Sequence, residues 1–266
     1  MSWMVKSPTP PPGYRYGPRY RASWANILRG SYYIVRGHPR SLAHDALWAI
    51  ADMPLPPKVR GAELVPEAGP FVVVANHYER PGLWMAWPAM FVGHLIQEGT
   101  GQDTHWIAIE EWESFSLFGI PVPAIAIRET FQRAFHTYGI LAMSPQDAPA
   151  AARARSMRAA AQKIKDGGII GLMPEGDVGL TPELLEAREG AGAFLLLLAA
   201  AGARIVPVGL YEEEDRLVAH FGAPFDLAAP RDTPREERDR WARDRVMLAL
   251  RDLLPRPLWG VYRERE

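Results

Sequence analysis

Phe71-Val72-Val73-Val74-Ala75-Asn76-His77-Tyr78-Glu79-Arg80-Pro81-Gly82 is the stretch on which the fold turns. Its first five residues are apolar and mostly β-branched, with no polar alternation, which is the pattern of a strand covered on both faces. The chain then breaks into a polar turn. The same short apolar pattern recurs at His105–Ile109, Ala124–Ile127, Gly168–Leu172 and Arg204–Val208. Helical spacing fills the intervals at about 82–97, 148–166, 189–201 and 235–253. Buried strands alternating with helices predict an α/β fold with a mixed, largely parallel sheet flanked by helices.

Upstream, large apolar residues recur every three to four positions from Ala22 to Val35 and from Ser41 to Met53, with Gly37-His38-Pro39 between them. That predicts a helical hairpin, closed by Pro54-Leu55-Pro56-Pro57. Pro8, Pro10, Pro11, Pro12 and Pro18 disfavour helix and predict an extended start. The expected organisation is a flexible, basic, Pro-rich arm over residues 1–20, a hairpin over 21–57 with possible membrane contact, and the α/β domain over 58–266.

The 266 residues carry a net charge of −1, which excludes a globally basic nucleic-acid binder. Residues 1–44 nevertheless hold seven cations and no acid, leaving −8 on the remainder. Trp3, Trp24, Tyr14, Tyr16, Tyr20, Tyr32 and Tyr33 are interleaved with those cations, a composition suited to an anionic lipid surface. RNA is attracted by similar chemistry but is not the expected partner. With no cysteine, disulfides, thiolate metal sites and Cys nucleophiles are excluded. The longest apolar run, Ala191–Ala201, is well short of the roughly 20 residues that cross a bilayer. The expected location is cytoplasmic, peripherally associated with the membrane.

In sheets of this kind reactive groups lie beyond the carboxyl ends of strands. Two turns qualify: Asn76–Gly82, where His77 can act as a base near neutral pH, and Met173-Pro174-Glu175-Gly176-Asp177, which presents carboxylates at a strand end. The chain has no Gly-x-Ser-x-Gly elbow, no His-Glu-x-x-His helix and no Gly-x-x-x-x-Gly-Lys loop. No metal or cofactor is expected. Leu83, Trp84, Met85, Trp87, Met90 and Phe91 recur at helical spacing as core residues, with one side suited to lining an acyl-chain groove.

In order and spacing, these turns resemble the blocks of the glycerolipid acyltransferase family, which includes the 1-acylglycerol-3-phosphate acyltransferases, over roughly residues 58–225. Asn76 and His77 match the first block, whose His acts on the acceptor hydroxyl, but the family's Asp is Gly82 here. Phe118–Val122 and Ala124–Arg128 resemble the second block, with Arg128 in its phosphate-contacting position. Pro174, Glu175 and Gly176 match the third, where Asp177 stands for Thr and Val178 for Arg. Ile205–Val208 resembles the fourth, Arg188-Glu189-Gly190 a Lys-x-Gly helix start, and Phe221–Pro224 a Gly-x-Pro segment.

The resemblance implies direct transfer of a fatty acyl group from acyl-CoA or acyl-carrier protein to a hydroxyl of a lysophospholipid or other lipid acceptor. His77 and Glu79 are the expected catalytic pair. Asn76, Arg80, Arg128, Glu175, Gly176 and Asp177 are the expected substrate contacts. Because Gly82 offers no acid, the candidates to pair with His77 are Glu79, then Glu175, then Asp177. Loss of such an acid in an analogous triad costs about 10⁴ in rate. The absent cation at Val178 points to an acceptor other than lysophosphatidate. An inactive lipid-binding protein on the same fold and a hydrolase delivering the acyl group to water are the alternatives.

Overall fold

The structure, a computed structural model, describes residues 9–110, 115–117, 120–122, 124–145, 147–177, 179 and 181–264. Strand β1 is Lys58–Arg60, β2 Phe71–Ala75, β3 Thr104–Ile109, β4 Phe115–Leu117, β5 Ile120–Val122, β6 Leu141–Met143, β7 Ile169–Leu172, β8 Arg204–Glu213 and β9 Arg216–Phe221. Helix α1 is Trp24–Arg36, α2 Leu42–Ala51, α3 Ala86–Thr100, α4 Ala124–Tyr138, α5 Ala150–Lys165, α6 Ala191–Ala200 and α7 Arg238–Arg251.

Seven strands form one sheet in the order β1-β9-β8-β2-β7-β3-β6. Pairing is parallel everywhere except between β8 and β9, so β1 and β9 run against the other five. Every residue of β2 is fully buried, as a central strand without alternation requires. Helices α2 and α3 pack on each other, with α3 against β3 and β9, while α6 packs on α7 and α5, and α7 on β8 and β2. The fold is therefore the mixed, largely parallel α/β sheet flanked by helices that the apolar runs predict, preceded by the helical hairpin.

Each hairpin helix is bounded by chemistry visible in the sequence. Ser23 Oγ accepts from the Asn26 N–H at the start of α1, and Ser41 Oγ from the His44 N–H at the start of α2. Gly37 takes the left-handed conformation that ends α1, with φ of 66°. Asp52 joins the two helices by accepting from the Ser23 N–H at 2.7 Å and from Asn26 Nδ2 at 2.8 Å.

Two expectations are corrected. Ala124–Ile127 opens α4 instead of forming a strand. Four alternating residues fit either element, and Ile127, Phe131, Phe135 and Tyr138 continue at a spacing of three to four that only a helix places on one face. Residues 9–20 are not detached from the domain: Tyr20 is buried, and the Tyr14 hydroxyl meets the Tyr78 hydroxyl at 2.8 Å. Proline density reports only on the backbone, whereas the tyrosines reach partners on the sheet.

Candidate functional site

At the end of β2 the chain is tied down by Asn76. Its side-chain amide donates to the Leu210 carbonyl at 2.9 Å, and its Oδ1 accepts from the Leu210 N–H at 2.7 Å. Asn76 is thus buried as a clip between β2 and β8, facing the sheet, although it was expected among the substrate contacts. From His77 onward side chains alternate as along a strand. His77 and Glu79 line a cavity, while Tyr78 and Arg80 turn inward to Glu212.

The inward pair forms a buried network. The Arg80 guanidinium donates to both oxygens of Glu212, to the Pro81 carbonyl at 2.7 Å and to the Pro18 carbonyl at 2.7 Å. Tyr16 and Tyr20 lie against it, with ring centres 5.8 and 5.5 Å from the guanidinium carbon. The Tyr78 hydroxyl and the Gly17 N–H also donate to Glu212. Arg80, expected as an anion contact, is therefore a structural cation whose guanidinium points away from the cavity. Sequence reasoning missed Glu212 altogether; its only signal was an acid just past the apolar run of β8.

The third block sits beside the first. The Glu175 carboxylate accepts from the His77 N–H at 2.7 Å and from the Leu185 N–H at 3.0 Å, so it holds the histidine's main chain and not its ring. Burial pushes its pKa up to about 7, the two N–H donors opposing that rise only in part. Gly176 has a φ of 65°, and a Cβ there would lie 2.9 Å from Arg188 Cδ, so Arg188 packs directly over this turn. Asp177 is exposed, as is Arg128 on α4. Phe118, Gly119 and Val178 lie outside the described residues.

Both ring nitrogens of His77 are buried, and neither is in hydrogen-bonding geometry with another group. Burial lowers the imidazole pKa, with the Asp177 main chain and carboxylate favouring the charged ring to a lesser degree. Glu79, the first candidate partner, has its carboxylate on the Met85 N–H at 3.1 Å, where it caps the approach to α3. Burial raises the Glu79 pKa. The family's acid position is itself closed: Gly82 has a φ of 83°, its carbonyl accepts from the Tyr20 N–H at 2.7 Å, and a Cβ there would lie 2.5 Å from Arg19 Cγ. The N-terminal segment occupies the space an aspartate would need.

The cavity has a volume of about 1390 Å³, above the roughly 300–1,000 Å³ usual for small-molecule sites. Trp84, Met85 and Met90 form part of one wall, and Phe131, Phe135 and Tyr138 of α4 another. Its polar groups include His77, Glu79, Arg153 and Arg188. Leu83 and Phe91 are buried in the core.

A strand-end histidine opening on an apolar cavity, with a buried glutamate holding its main chain, marks a class of α/β proteins built to bring a base to an apolar ligand. Residues 56–211 match the family model described as Acyltransferase, and the chain belongs to that family. Among solved structures the chain is similar to the 1-acyl-sn-glycerophosphate (LPA) acyltransferase PlsC from Thermotoga maritima, at 16% identity and a TM-score of 0.48, over 85% of this chain and 88% of that one. No curated protein matches the chain.

Proposed function

We propose that this acyltransferase moves a fatty acyl group from acyl-CoA or acyl-carrier protein to a hydroxyl of a lysophospholipid or related lipid, with His77 as general base. The observation that carries the proposal is the His77 ring, with both nitrogens unbonded, at the lip of a cavity walled by Trp, Met and Phe. A neutral imidazole is the form that accepts a proton, and burial favours it. His77 takes the proton from the acceptor hydroxyl as its oxygen attacks the thioester carbonyl. The C–O bond forms, the C–S bond breaks, and the imidazolium returns the proton to the leaving thiolate. No acyl-enzyme is required.

The membrane contact is proposed for α1. Trp24, Leu28 and Val35 share one face of it and are 78%, 67% and 68% exposed, with Ile27 and Tyr32 flanking them. Ile34 on the same helix borders the cavity, so a lipid-bound α1 sets the opening near the bilayer. No helix among the described residues is long and apolar enough to cross a membrane. These features support a peripheral protein of the cytoplasmic face.

A lipid-binding protein without catalysis is the second reading, favoured by the lack of a hydrogen-bonded acid on the His77 ring. The deciding experiment offers labelled acyl-CoA and acyl-carrier protein with lysolipids, glycolipids and water, to the wild type and to His77→Ala. His77-dependent transfer to a lipid is expected. Lipid binding without any His77-dependent product would favour the second reading, and free fatty acid alone would make the protein a hydrolase.

A further inference from the structure

Helix α5 carries Arg153, Arg155, Arg158, Lys163 and Lys165 and not one Asp or Glu. Its first turns border the cavity through Arg153 and Met157. Arg155, Arg158 and Lys165 are exposed, and among the described residues none of them has an ion-pair partner. At 3.6 residues per turn these three fall with Gln162 on one outward face, and Arg155 and Lys165 stand about 15 Å apart along the axis.

We propose that this face of α5 docks an acidic protein that carries the acyl thioester, an acyl-carrier protein. The inference rests on the acyl-transfer reading above and names the source of the donor. Five cations on one helix of a chain whose net charge is −1 form a local field suited to steering an acidic partner. The face differs from α1, because α5 presents no exposed large apolar residue for insertion into lipid. It differs from a nucleotide site as well: phosphate recognition uses donors converging in a concavity, whereas these side chains radiate from a convex helix. Exposed Ala151 and Ala159 keep the surface between the cations low, which allows another helix to approach closely. A carrier seated here would have its thioester arm at the end of α5 that borders the cavity and His77.

The test uses Arg155→Glu/Arg158→Glu/Lys165→Glu, with Arg155→Gln/Arg158→Gln as a milder variant that keeps the proposal testable if the triple reversal fails to fold. Binding of a palmitoyl-loaded bacterial acyl-carrier protein is measured at 50 and 500 mM NaCl, together with kcat/KM for that donor and for palmitoyl-CoA. The wild type is expected to bind the carrier and to weaken as salt rises. The triple variant should lose at least tenfold in affinity and in kcat/KM with the carrier, yet stay within twofold of wild type with palmitoyl-CoA. The double variant should lose three- to tenfold with the carrier. A wild type that does not bind the carrier, or variants that bind it equally well, would overturn the proposal. An equal loss with palmitoyl-CoA would assign the face to nucleotide phosphates, and a loss confined to anionic vesicles would assign it to lipid; both refute carrier docking. Carrier binding through α5 with no acyl transfer from any donor would refute the acyl-transfer reading and leave the docking face standing.

Discussion

Replacing Gly82 probes the departure that separates this chain from the motif it resembles. The residue sits at a φ of 83°, where a side chain costs roughly 1–2 kcal/mol, somewhat less for Asn or Asp. A new Cβ would also stand 2.5, 3.0 and 3.2 Å from the Cγ, Cβ and Cα of Arg19. The Cγ can swing aside, but the Cα cannot, since the adjoining Tyr20 N–H is bonded to the Gly82 carbonyl at 2.7 Å. Such overpacking adds about 1 kcal/mol or more. Gly82→Ala should therefore lose about 2–4 kcal/mol, Gly82→Asp slightly less and Gly82→Asn least, read as a shift of the urea midpoint at constant slope. Adding Arg19→Gly to Gly82→Ala should recover the contact share and leave the φ share, a coupling of about 1 kcal/mol. A Gly82→Asp protein as stable as wild type and faster in acyl transfer would refute the reasoning, because the position would then be a simple vacancy waiting for its acid.

Other elements yield outcomes of similar precision. Glu212→Gln leaves a guanidinium buried without its counter-charge, both side chains being 1% exposed; a loss of about 3 kcal/mol is expected in urea unfolding, with new tryptic cleavage at Arg15, Arg19 or Arg21. Glu175 binds its proton more tightly folded than unfolded, so its contribution is fully present below about pH 4.5 and is lost as pH rises through about 7. The gap amounts to roughly 3 kcal/mol, and wild-type stability should fall relative to Glu175→Gln between pH 5 and 8; parallel curves would remove the premise. Trp24→Asp with Leu28→Asp, both on exposed positions of α1, should change stability by about 0.5 kcal/mol or less yet cut sedimentation with anionic vesicles more than tenfold.

What could be foreseen divides along physical lines. Phe71–Ala75 and Arg204–Val208 are legible because a strand buried on both faces has no room for polar residues, and Ser23, Ser41 and Gly37 because helix ends have fixed chemistry. His77 and the cavity wall of Trp84, Met85 and Met90 follow from position after a strand and from helical spacing. Arg80 was misassigned because alternation says that it faces opposite to His77, but not that an acid 132 residues later waits on that side. The pairing of Glu175 with two main-chain N–H groups is equally unreadable, since a turn sequence names the carboxylate and not its donors.

The anchoring of residues 9–20 also has a consequence for biosynthesis. Tyr14 is among the first residues to leave the ribosome, but Glu212, which it meets through both its main-chain N–H and its carbonyl, follows 198 residues later. At roughly 5–20 residues per second the early segment waits about 10–40 s for its partner. Until then nothing covers Gly82, and the Tyr78 and Arg80 side chains lack the carboxylate that turns them away from the groove. Unless the loop after β2 is ordered by other means, a nascent chain has its histidine long before it has a settled place for it, and competence for chemistry arrives only near the end of translation.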